Sequence, residues 1–186
     1  MPLITRRPPP DTTGIVRHAT VLTPIAPGQR RELGARLARI EDATSPFAAI
    51  AEIHVARFAI LDSLPTTRRD PPVAPLDPPY LLFGASFDMP FDVLVRRMQT
   101  AMPDACDAVW GCCRNYPGSE SADDLVHYLT AHRVPSDLVF ATFTAPVAEI
   151  RRAIRLRSDI AVLMARSESP GSAELREALR QLGQQP

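Results

Sequence analysis

Apolar residues fall along this chain in two spacings, and the switch from one to the other predicts its elements. I-V-R-H-A-T-V-L-T, from Ile15 to Thr23, is a short β-branched run stopped by Pro24, the pattern of a strand. Leu33, Leu37 and Ile40 follow at helical spacing with arginines between them, which reads as an amphipathic helix. H-V-A-R-F-A-I-L from His54 and Y-L-L-F-G-A-S-F from Tyr80 are two further strands. Phe91, Leu94, Val95, Met98 and Met102 then form one apolar stripe, with Asp88 placed to cap that helix and Pro90 tolerated in its first turn. L-V-F-A-T-F from Leu138 reads as a fourth strand, a helix opening at Thr144 and Pro146 runs to about Met164, and a short helix closes the chain.

Strand, helix, strand, strand, helix, strand is the split βαβ order. The expected class is therefore α+β: a ferredoxin-like βαββαβ four-stranded antiparallel sheet with extra helices. Residues 1–13 are expected to be a disordered tail, because three consecutive prolines neither start a helix nor donate to a ladder. The α+β domain is expected over 14–165, with insertions at 62–79 and 103–136, and a C-terminal helix and tail over 166–186. The first insertion holds six prolines and reads as either a lid or a loose tip.

The strands carry apolar residues on both faces. Leu81, Phe83, Ala85 and Phe87 alternate with Tyr80 and Leu82, and Leu138 and Phe140 alternate with Val139 and Phe143. Both faces then need cover. Helices supply one; a second copy of the chain is the simplest supply for the other. The expectation is a homodimer joined through the sheet face, with any small-molecule cavity enclosed nearby.

Composition narrows the partners. With 21 basic residues, all arginine, against 21 acidic ones, no net field recruits nucleic acid. R-R-A-I-R-L-R, from Arg151, spreads its charges around a helix without aromatic partners and reads as a solvated face. Arg6 and Arg7 have no apolar stretch behind them, so no export signal is read, and no run reaches the roughly 20 apolar residues that cross a bilayer. Three cysteines, an odd number, suit a reduced, cytoplasmic chain.

T-V-L-T-P-I-A-P-G, H-V-A-R-F-A-I-L-D, Y-L-L-F-G-A-S-F-D and A-V-W-G-C-C-R-N-Y-P together resemble a group of largely uncharacterised bacterial ferredoxin-like proteins near the dimeric α+β barrel class. The resemblance spans about residues 19 to 160. The group tends to carry histidine where this chain has Cys112, and glycine where it has Asn115. What the resemblance implies is the fold, since that barrel class hosts haem peroxidases, monooxygenases and non-enzymatic members.

Candidate chemistry is sparse. Cys106, Cys112 and Cys113 form no C-x-x-C, and no second pair completes a metal set, so no metal site is expected; they read as a packed helix end. S-A-D-D-L-V-H-Y-L-T-A-H begins with a cap at Ser121 and puts Leu125, Tyr128, Leu129 and His132 on one face, with His127 opposite. His132 is then a hydrogen-bonded core histidine or an axial haem ligand. His54 and Arg57, three apart on a strand, point to opposite faces unless a bulge intervenes. Arg57 must find an anion: a carboxylate or propionate of a ligand, or an acidic partner at the rim. Arg17 and His18 also fall on opposite faces. No phosphate loop, G-x-S-x-G or H-E-x-x-H is present.

The sequence thus supports a homodimeric small-molecule-binding or accessory domain. The alternative is an oxidative enzyme, haem-dependent and peroxidase-like or cofactor-free and monooxygenase-like, with His132 or His54 as ligand or base and Arg57 holding an anionic group.

Overall fold

A computed structural model describes residues 12–13, 16–41, 45–64, 74–135, 145–166 and 180. The chain divides into two compact units, Met1–Thr144 and Ala145–Pro186. In the first, β1 (Thr12–Thr13) and β2 (Val16–Pro24) precede α1 (Arg30–Glu41) and a 3-10 turn at Pro46–Ala49. β3 (Ile53–Leu64) and β4 (Ala74–Phe87) follow, then α2 (Phe91–Ala101), α3 (Pro103–Trp110), α4 (Ala122–Ala131) and β5 (Arg133–Val134). The second unit contributes α5 (Val147–Arg166). No helix among the described residues is long and apolar enough to cross a membrane.

The sheet is antiparallel and four strands wide. β4 lies between β2 and β3, and both β1 and β5 pair with the other edge of β2. That edge is covered along its length: Arg17 by Thr12, Thr20 by Val134 and Ile25 by Cys113. Three short pieces thus replace one long free edge, which removes a template for unwanted pairing. The strand expected at 138–143 lies outside the described residues, as does most of the short terminal helix.

Two expectations need correction. Asp88 does not cap α2. Pro90 occupies the cap position without a side-chain bond, because the Asp88 carboxylate accepts from His54 Nε2 at 2.6 Å instead. The insertion at 62–79 is also not one long loop. β3 continues to Leu64 and β4 starts at Ala74, with Ser63 opposite Pro75 and Leu64 opposite Ala74. The register jumps between Leu61–Tyr80 and Ser63–Pro75, so Pro78 and Pro79 sit in a bulge where no ladder donor is required.

The core lies between the sheet and the helices. Leu81, Phe83 and Phe87 have no exposed surface, and neither do Leu33 of α1, Leu94 and Met98 of α2, or Leu125 and Leu129 of α4. Phe83 is the centre of an aromatic cluster, 5.3 Å from Phe58, 5.5 Å from Trp110 and 5.9 Å from Phe47 between ring centroids. α4 is capped as its sequence implies: Ser121 Oγ accepts from the Asp124 amide at 3.2 Å.

The segment opening at Trp110 is a structural joint. Gly111 closes α3, and a Cβ there would lie 2.3 Å from the Asp107 carbonyl oxygen, so a side chain is excluded. Asn115 takes φ 57, a left-handed position asparagine tolerates better than most residues. The chain then ties onto the end of β2 through Ala26 N to Cys112 O and Arg114 N to Pro24 O.

Candidate functional site on the open face of the sheet

Strand register sorts the residues opposite the core into rows. His18, Ser86 and Val55 form the first row; Thr20, Gly84 and Arg57 form the second. Leu22, Leu82 and Ala59 make the third, and Pro24, Tyr80 and Leu61 the fourth. Polar groups therefore gather at one end of the face and apolar groups at the other. None of these residues belongs to the core cluster. Val55 is 57% exposed and the rest are half-buried or exposed. At standard strand and residue spacings the four rows measure about 14 Å by 20 Å, of which the two apolar rows take about half.

Arg57 is central to this face. It packs over Gly84: a Cβ placed there would stand 3.5 Å from Arg57 Nε and 3.6 Å from its Cγ. Glycine thus leaves room for the guanidinium stem to lie along the sheet. Among the described residues Arg57 has no hydrogen-bond or ion-pair partner. Its row neighbour Thr20 and the hydrogen-bonded pair His18 Nδ1–Ser86 Oγ, 2.8 Å apart, complete the polar end. No carboxylate occupies any of the four rows.

The other candidates fall elsewhere. The register slips between Ile53 and Val55, so the bulge that would reorient His54 does occur, but His54 is engaged with Asp88, both side chains largely buried. His54 donates through Nε2, and Arg57 lies beyond it on the strand. His132 ends α4, donates from Nδ1 to the Tyr128 carbonyl at 2.9 Å and packs its ring 4.6 Å from that of Tyr128. Its Nε2 is left with the lone pair a haem iron accepts. Its carbonyl accepts from Leu22 N, which puts it beyond the outer edge of β2, three strand spacings or about 14 Å from β3. His54, Arg57 and His132 therefore do not converge. His127 is exposed.

The cysteines are buried and free. Burial pushes the Cys106 thiol up to about 12 and the Cys113 thiol to about 11. Burial raises Cys112 too, against the pull of Arg36. Thr23 donates to Cys113 Sγ at 3.3 Å. Thiols held neutral in this way pack and do not attack. Among the described residues no group of three or more His, Cys, Asp or Glu could hold a metal ion.

A cleft of about 610 Å³ on the helical side is lined by residues that include Glu32, Arg36, Arg39 and Ala108. Arg36 there donates to Glu32 at 2.8 Å and to the Ala108 carbonyl at 3.0 Å, so its strongest donor already has partners. The open face differs in holding a donor, Arg57, without a partner among the described residues.

Sequence reasoning singled out Arg57 but not the company it keeps. Thr20, Gly84 and Ser86 carry no motif. Alternation in β2 and β4 could have placed them on one face, but their alignment with Arg57 depends on the slip at His54, which no local pattern announces.

The fold and site together define an α+β domain with a sheet buried on one side and amphipathic on the other. Comparisons with family profiles, with curated proteins and with solved structures gave no match to this chain.

Proposed function

We propose that the chain is a homodimeric small-molecule-binding or accessory domain whose two copies meet through their open sheet faces. The ferredoxin-like plan is part of this reading. It is supported by the β2–β4–β3 order, in which β2 and β3 run parallel with β4 between them and α1 connecting them. The resemblance to the dimeric α+β barrel class points the same way. Three buried free thiols favour a reducing compartment, so cytoplasmic residence belongs to the proposal as well.

One observation carries the reading: Leu22, Leu82, Tyr80, Ala59 and Leu61 form a contiguous apolar surface outside the core. A two-fold contact covers such a surface with its own equivalent, so one patch satisfies both partners. Sedimentation equilibrium of the full chain at micromolar concentration tests it. The wild type is expected as a dimer and Leu82→Arg as a folded monomer, since the new charge would be buried unpaired. A wild-type monomer, or a Leu82→Arg dimer as tight as wild type, would overturn the proposal and favour a segment of the same chain, or nothing, as the cover.

A further inference from the structure

We infer that the dimer encloses an organic anion with an apolar body, its charged head on Arg57 and its body along Leu82 and Tyr80; this rests on the sheet-to-sheet dimer proposed above. Arg57 lies over Gly84 at the middle of the open face and has no partner among the described residues. A partner copy presents the same four rows, and these hold a second Arg57 but no carboxylate. Closing the two faces therefore buries two guanidinium groups that no described residue of either face neutralises, and a buried unpaired charge is strongly unfavourable. An external anion resolves this.

The surroundings specify what kind of anion. Thr20 lies in the same row and Ser86 in the next, and their hydroxyl groups flank a head held there. Leu82 and Tyr80 extend apolar surface for about two row spacings, roughly 14 Å, in the opposite direction. A planar guanidinium suits a carboxylate held by two parallel hydrogen bonds. The class is therefore an aliphatic or aryl monocarboxylate, with the anion and dimerisation linked: what binds only the dimer tightens it.

The test is the dimer dissociation constant by sedimentation, with octanoate, octanol or inorganic phosphate added to wild type, Arg57→Met and Arg57→Lys. Octanoate is expected to tighten the wild-type dimer by about tenfold or more when present well above its own binding constant. Octanol and phosphate should each do less, lacking the head or the body. Arg57→Met should dimerise without octanoate and ignore it, and Arg57→Lys should keep a weaker response. A wild-type dimer indifferent to octanoate, a phosphate effect equal to that of octanoate, or an Arg57→Met response equal to wild type would each overturn the inference while leaving the dimer standing. If Arg57→Met fails to fold by circular dichroism, a wild-type dimer that responds equally to octanoate and octanol overturns it. A wild type that is monomeric at micromolar concentration without octanoate overturns the dimer and ends this inference with it.

Discussion

Phe83 and Leu82 are adjacent in β4, yet the account assigns them opposite surroundings, and replacing each by alanine separates the two. Phe83 has no exposed surface and meets three rings within 6 Å between centroids. Removing a buried phenyl group costs about 3–5 kcal/mol, and the lost ring contacts push Phe83→Ala to the upper end. Leu82 is half-buried. Most of its surface is nevertheless out of water in the lone chain, so truncating it costs roughly 2 kcal/mol there. The expected difference is about 3 kcal/mol, a large share of the roughly 5–15 kcal/mol that holds an ordinary domain together.

Urea unfolding followed by circular dichroism and by the fluorescence of Trp110, the only tryptophan, measures both, with the denaturant slope checked for constancy. Protein concentration adds a second readout. The cost at Leu82 should grow as concentration rises, because the interface stabilises only the assembled state, while the further cost of losing Phe83 packing should not. Equal costs at the two positions, within about 1 kcal/mol, would refute the assignment of faces.

Ser121→Ala should lower stability by about 1 kcal/mol through loss of the α4 cap, read as a shift in urea midpoint. Asp107 accepts from Tyr116 Oη and from Ser119 Oγ, each at 2.8 Å, with Ser119 buried. Asp107→Ala should therefore cost about 2–3 kcal/mol, and a loss below about 0.5 kcal/mol would show the loop is held otherwise. Cys106 and Cys113, pushed up by burial to about 12 and about 11, favour the neutral thiol in the folded state. Their stabilisation is whole below the ordinary thiol value near 8.5 and is lost as pH rises toward the folded values. Each thiol then contributes a fall of roughly 1.4 kcal/mol per pH unit. Cys106→Ala with Cys113→Ala should flatten the stability curve between about pH 9 and pH 11 relative to wild type; an unchanged slope contradicts the burial.

The helices were legible because their periodicity is local. The stripe from Phe91 to Met102 and the Ser121 cap are where spacing puts them. So is the alternation that sends Leu81, Phe83, Ala85 and Phe87 inward. What could not be read locally were effects of one element on another. Asp88 sits where a cap belongs, but a charge-assisted bond to His54, 34 residues away in sequence, wins over an amide of its own helix. The prolines between Asp62 and Pro79 signal a loop by composition, but a bulge lets the strands pass around two of them. The candidate site was half legible: unsatisfied arginine in an apolar strand is visible in sequence, whereas its row of neighbours is a matter of register.

Face-to-face contact is tested most directly by distance. Val55 lies at the rim of the open face and is well exposed, and the native thiols are buried and neutral, so a nitroxide on Val55→Cys labels one site per chain. Sheets packed face to face are about 10 Å apart. Double electron–electron resonance should then give an intermolecular distance within about 35 Å, longer for a label at Arg39→Cys on the helical side. A Val55 label without intermolecular coupling at concentrations where the chain sediments as a dimer, or a distance longer than that at Arg39, contradicts the account.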